Sequence, residues 1–272
     1  MAKLKIKKND VWIDMTPMSD VMVLLLTFFM LSANFVKNET VKVKTPESTN
    51  VDKVPATATL DIMIAPDTLK AKNGQDSIVG RVYLATDKVS TMDSALYQFM
   101  LTEPTLLDDK TPAIHNISKV AKVMNARKAG EKKELTEDAK KYQKLFLAET
   151  QIGIPLSGMV EFLEKSHEDK AKLMKAYGVP LDSINGGPSE FQLWVQALKK
   201  GYSMWYKNLE KQKEDGKQID VDLDRTPKKL EICIKADEKT PYVTFKTVIS
   251  ELQDIMESRY KLVTRYKKEK ED

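Results

Sequence analysis

One apolar run near the start of the chain constrains what the rest can be. Residues 21–36 contain no charge, and across 17–36 the only charged side chain is Asp20. Twenty residues in a helix rise roughly 30 Å, the thickness of a bilayer's hydrocarbon core. A buried soluble helix and a cleavable signal peptide are the competing readings. The flanks disfavour the first: Lys3, Lys5, Lys7 and Lys8 precede the run, and Trp12 sits where an interfacial aromatic would. The second expects a shorter apolar region and a small-residue cleavage site, and Ser32-Ala33-Asn34 is a poor one. The run is therefore expected to be a transmembrane helix over 11–36 with the N-terminus in the cytoplasm.

The acid is the anomaly. A carboxylate at the centre of a membrane helix costs about 2.5–3.5 kcal/mol, so such groups usually face other protein and handle protons or ions. At about 100° per residue, Thr16, Thr27 and Asn34 fall within roughly 40° of Asp20. Met22, Leu25, Phe28, Phe29 and Met30 turn elsewhere, and Ser19 and Ser32 fall off the line. A polar stripe on a lone helix needs a protein or water neighbour, because lipid cannot satisfy it. Thr16-Pro17 is a good helix opening, with a start near Val11 as the alternative. Asp20 is expected to titrate in a proton path; an interfacial carboxylate near the headgroups is the plain alternative.

The remainder is too polar to follow the run into a membrane. Of 272 residues, 31% are charged and the formal net charge is +4, with the signs closely mixed. That balance does not suggest nucleic-acid binding. The single cysteine, Cys233, excludes an internal disulfide and lies in an alternating apolar run, as a core residue would. His115 and His167 are far apart, no His/Cys cluster has metal spacing, and no Gly-rich phosphate loop occurs. No enzyme, no metal and no cofactor are expected; protons are the expected coupling ion.

Thr16-Pro17-Met18-Ser19-Asp20-Val21-Met22, followed by a Leu-rich run and Phe29-Met30, resembles the ExbD/TolR family of energy-transducing proteins. The family pattern is a Thr-Pro, two residues, an Asp, Val and Met, then an apolar span. The resemblance implies a single-pass protein of a Gram-negative inner membrane, with a periplasmic C-terminal domain. It implies a channel partner of the ExbB/TolQ type, a TonB- or TolA-like driven protein, and a homodimer. It further implies that Asp20 couples proton flow to motion.

The expected organisation is a cytoplasmic arm (1–10), the membrane helix (11–36), a linker (37–57), an α+β domain (58–102 and 227–266) and a charged tail (267–272). A mainly helical insertion, 103–226, interrupts the domain. Val41, Val43 and Thr45 alternate with Lys42 and Lys44 as in a short strand ending at Pro46, similar to the family's Val-rich segment with Thr45 in place of its Leu. A solvated tether is the equal alternative. Leu60, Ile62 and Ile64 alternate as a strand, 78–85 as another across a turn at Asn73-Gly74, and Ser90 with Asp93 opens a helix. Leu230, Ile232 and Ile234 begin a strand–helix–strand ending, with Thr240-Pro241 as cap and first residue of a helix bearing Phe245, Val248, Ile249, Leu252, Ile255 and Met256, then a strand over 260–265. The order is β-β-α, insertion, β-α-β. Asp237 and Tyr242 match the family's Asp and Tyr, and a structural role is expected for both.

The insertion shows helical spacing over 114–124, 139–147, 159–174 and 191–209. Gly153-Ile-Pro-Leu-Ser157 and Gly178-Val-Pro-Leu-Asp182 recur, and Asn185-Gly-Gly-Pro188 breaks the pattern. Trp194, Tyr202, Trp205 and Tyr206 suit a core better than a ligand cage. Two function classes follow. One is a proton-driven transducer powering TonB-dependent transport, or a TolR-like relative serving envelope integrity. The other is a passive anchored module that holds peptidoglycan or an envelope protein.

Overall fold

The computed structural model describes residues 16–32, 41–49, 58–69, 77–86, 136–182, 187–216, 219, 221–223 and 226–266. It divides into two units, Met1–Asn38 and Glu39–Asp272. The described part of the first is helix α1 (Thr16–Ser32), 17 residues long. At 1.5 Å per residue it rises about 25 Å, short of the span expected for 11–36. Among the described residues no helix is long and apolar enough to cross a membrane. Residues 11–15 and 33–36, Asn34 included, lie outside the described residues.

The second unit is mixed α/β. Its elements are β1 (Glu47–Ser48), β2 (Thr59–Leu69), β3 (Ser77–Thr86), α2 (Glu137–Ala148), β4 (Gln151–Ile152), α3 (Met159–Glu164), α4 (His167–Tyr177), α5 (Glu190–Glu214), β5 (Glu231–Ala236), α6 (Tyr242–Asp254), β6 (Tyr260–Leu262) and β7 (Arg265–Tyr266). Five strands form one sheet in the order β4-β3-β2-β5-β6. β2 is antiparallel to β3 from Leu60↔Thr86 to Leu69↔Ser77, and parallel to β5 from Thr59↔Glu231 to Ile64↔Ala236. β5 and β6 are parallel, and β3 and β4 antiparallel.

β2 is central because both of its faces are apolar in the middle. Leu60, Ile62 and Ile64 point one way and Met63 and Ala65 the other, and all five are buried. A strand buried on both faces needs cover on both, and two glycines show where it lies. Gly80 shares a face with Val82 and Leu84, and a Cβ placed there would meet Thr244 within 2.5 Å, so α6 sits on that side. Gly153 lies against the opposite face, where an added Cβ would meet the Tyr83 ring at 2.4 Å and the Met174 methyl at 2.9 Å. The two Gly-x-Pro-Leu segments thus both press on β3: Gly178 takes a positive φ of 72° beside Val82, and the Val179 N–H donates to the Val82 carbonyl at 2.8 Å.

The region 136–226 is not laid on the outside. Its strand β4 joins the sheet, and Phe146, Leu156, Trp194, Leu198 and Tyr202 belong to the same buried cluster as Ile62 and Ile64. Trp194 stacks on Phe146 with ring centres 6.1 Å apart, and Tyr202 packs against Trp205 at 5.3 Å while its hydroxyl donates to the Pro227 carbonyl at 2.6 Å. The aromatic cluster of α5 is core. Cys233 is likewise fully buried, and burial pushes its thiol up to about 11, with nearby Asp61 adding to the effect.

Several local expectations are corrected. The single helix expected over 159–174 is two. Ser166 ends the first extension by adopting extended backbone and capping α4, its hydroxyl accepting the Asp169 N–H at 3.3 Å. Thr240 does not cap α6: its hydroxyl donates to the Ile64 carbonyl at 3.1 Å, and Pro241 occupies the cap position without a side-chain bond. Met256 is 92% exposed rather than on the buried side. It ends the helix with a φ of 59°, its N–H donating to Gln253 and the Glu257 N–H to Leu252, a Schellman closure with Met where glycine is usual. The strand expected over 260–265 is split, since β6 pairs with β5 and β7 with β1. The helices expected from Ser90 and over 114–124, and the turn at Asn73-Gly74, lie outside the described residues, as do His115, Asn185 and Gly186.

Candidate functional site

Two places carry the residues singled out by sequence. The first is α1. Every described side chain from Met18 to Met30 is exposed, including Met22, Leu26, Phe28 and Met30 on different sides of the helix. Leu and Met favour this helix, and after Pro17 no Gly or Pro interrupts it. Asp20 stands exposed among them. Thr27, one of the stripe residues, donates its hydroxyl to the Leu24 carbonyl at 2.9 Å. That bond satisfies the hydroxyl inside its own helix. Thr16 and Pro17 open the described helix. Phe28 and Phe29 meet edge to face at 6.0 Å.

The second place is the junction where the chain enters the folded unit. Residues 41–46 run extended, with Val41 buried, Val43 and Thr45 half-buried, and Lys42 and Lys44 exposed. The alternation is there, but the strand pairing lies beyond Pro46, at Glu47–Ser48, parallel to Arg265–Tyr266. This strap is held at four points. The Val41 N–H donates to Gln151 Oε1 at 3.1 Å. The Lys44 N–H donates to Asp237 Oδ2 at 2.8 Å, and the Glu238 N–H donates back to the Lys44 carbonyl at 3.1 Å. The Arg265 N–H donates to the Pro46 carbonyl at 2.8 Å, reinforced by its guanidinium on Glu47 Oε1 at 2.9 Å. Lys44 Nζ also reaches Glu238 at 2.8 Å.

Asp237 is the hinge of this arrangement. Its second oxygen accepts the Lys239 N–H at 3.0 Å, and its own N–H donates to the Ile64 carbonyl at 2.9 Å. One side chain thus shapes the turn after β5 and pins the strap. Tyr242, at the first position of α6, is 73% exposed and packs its ring against Phe245 at 6.1 Å. Sequence reasoning named Asp237 and missed its strap partners Gln151, Glu238 and Arg265. They are polar residues far away in the chain, and no periodic signal marks them. Among the described residues no three His, Cys, Asp or Glu side chains are grouped to hold a metal ion.

Residues 7–135 match the family model described as biopolymer transport protein ExbD/TolR. The match takes in α1 with Asp20, the strap, β2 and β3. The C-terminal strand–helix–strand with Asp237 and Tyr242 lies beyond the matched residues. No curated protein and no solved structure matches the chain. Over residues 7–135 the chain is thus similar to the ExbD/TolR family.

Proposed function

We propose that this chain is the single-pass inner-membrane subunit of a proton-driven energy-transducing complex, with Asp20 as the proton-coupling residue. The carrying observation is α1: a helix whose apolar side chains are exposed all round and which holds one carboxylate. A helix apolar on every side belongs in lipid or inside a bundle. Its sequence continues uncharged to Val36, long enough with those residues to span a bilayer. The family adds the energy-transducing role in biopolymer transport.

In this reading the helix docks against an ExbB/TolQ-like channel subunit, with a second copy of the chain completing the shelter around Asp20. Burial favours the protonated acid and hydration the ionised one. A proton taken up on the periplasmic side and released on the cytoplasmic side then alternates Asp20 between two states with different preferred surroundings. The unit 39–272 stands in the periplasm and passes the motion to a TonB- or TolA-like protein, powering TonB-dependent transport. No bond of a substrate is made or broken, so the protein is not an enzyme, and its coupling ion is the proton.

Asp20→Asn keeps the shape and removes the titration. Energised transport should be lost while abundance and co-purification of the channel subunit persist. Full activity in that variant rules out the proton role and leaves the second reading, a passive anchored module that holds peptidoglycan or an envelope protein.

A further inference from the structure

The strap and the region 136–226 meet at one buried side chain. The Val41 N–H donates to Gln151 Oε1 at 3.1 Å, and Gln151 Nε2 reaches the Met63 sulfur at 3.9 Å. Val41 and Gln151 are both buried. Gln151 is itself held from several sides. In β4 it pairs with Ala85, and Ile152 beside it pairs with Leu84. Two residues before it, Glu149 pairs with Lys170 of α4 at 2.6 Å, and that ammonium lies over the Phe162 ring of α3 at 5.4 Å. Two residues after it, Gly153 presses on Tyr83. The other end of the strap is fastened differently. Lys44 with Glu238 and Glu47 with Arg265 are ion pairs at the surface, which contribute little and are screened by salt. A buried N–H that loses its acceptor bears the full cost of its lost hydration, so the hold at Gln151 is the costlier to open.

We propose that Gln151 is the seat of the strap: through it the region 136–226 makes Val41, rather than Lys44, the first point at which the strap is held. Without the seat the next hold is the Lys44 N–H on Asp237, three residues on. At about 3.3–3.6 Å per residue, that shift frees roughly 10 Å more chain. Gln151 is a positioning residue, and what it positions is the root of the strap. Its acceptor oxygen is the part that matters, since an apolar side chain of equal length fills the same space but cannot hold the Val41 N–H. The other holds are made by Asp237, Glu238 and Arg265 of the C-terminal part. The work is thus divided, with the region 136–226 gripping the root and the C-terminal part fastening the far end. In a transducer, a pull arriving along the chain from α1 would enter the folded unit through β4 and β3, and the weaker far end would be spared. That meaning rests on the proposed function, whereas the seat itself does not.

The test is residue-resolved hydrogen exchange on the full-length protein in lipid nanodiscs, with trypsin cleavage as a second readout. Gln151→Met keeps the length of the side chain and removes its acceptor. Exchange at the Val41 amide should rise about tenfold, and cleavage after Lys42 should rise severalfold. The Lys44 and Arg265 amides should keep their protection. Met63→Leu, which spares the acceptor oxygen, should leave Val41 as in the wild type. An unchanged Val41 amide in Gln151→Met, a faster amide without faster cleavage after Lys42, or the same loss in Met63→Leu overturns the seat. If Gln151→Met loosens the whole unit, the wild type decides. Raising salt from about 0.05 M to about 1 M should speed exchange at Lys44 severalfold and leave Val41 unmoved, and equal responses at the two amides overturn the seat. None of these readouts involves Asp20, so failure here and failure of the transducer reading are distinguishable.

Discussion

Two regions of this molecule use the same apolar residues and treat them oppositely. In α1, Leu25 is 50% exposed and Met30 70%, whereas in the folded unit Leu60 and Leu198 are at 0% and Met174 at 1%. The difference lies in arrangement. In α5 the apolar residues share the helix with lysines and glutamates, so one side has a reason to face inward. In α1 the apolar residues go all round, so no orientation on a water-filled surface would satisfy them. The folded unit buries its own apolar residues; those of α1 stay exposed.

That contrast can be broken by substitution. Trp194 is 1% exposed and stacked on Phe146, so Trp194→Ala should cost about 3–5 kcal/mol of domain stability. Denaturant unfolding of the full chain in nanodiscs measures it, and membrane fractionation of the folded protein should be unchanged. Leu25→Arg is the opposite probe. A charge at mid-helix should cost about 2.5–3.5 kcal/mol of insertion and release chains from the membrane fraction, while domain unfolding stays where it was. A Leu25→Arg protein that remains in the membrane at wild-type levels would collapse the distinction drawn here. The smallest effect tests a site neutral to both regions. Met256 holds a positive φ in nearly full exposure, so Met256→Gly should stabilise the domain by about 0.5–1 kcal/mol with no change in localisation. A loss of stability in that variant would mean that the side chain is used.

The sequence announced those elements whose cause is local. The Leu60-Ile62-Ile64 and Leu230-Ile232-Ile234 alternations became the two parallel neighbours at the sheet's centre, because period-2 burial is written residue by residue. Ser166 and Ser189 also carried readable signals, each with a hydrogen-bonding side chain three residues on, and the break between α3 and α4 follows from the first of them. β4 could not be foreseen. It is two residues long, and it exists because Leu84 and Ala85 offer it a partner. The division of 260–265 into two strands has the same origin, since β7 turns away to meet β1. Asp20 stands out in the sequence because a charge in an apolar run violates a local rule. Asp237 was legible only as a turn residue, since its bond to Lys44 spans 193 positions. For the region 136–226, apolar spacing says that a face is buried, not against what, so its share in the sheet and the common core could not be read from it.

The pairing of β1 with β7 has a consequence for how the protein is made. Glu47 and Arg265 are 218 residues apart. Closing so long a loop is entropically expensive and slow, so contacts of this separation form late. They also need β7, which leaves the ribosome after α1 and after the other strands of the folded unit. Synthesis therefore fixes an order: α1 is made while the folded unit is still incomplete, and the strap is fastened only after β7 has emerged. A truncated or stalled product would carry the apolar helix without the closed strap, which gives quality control a simple structural difference to detect.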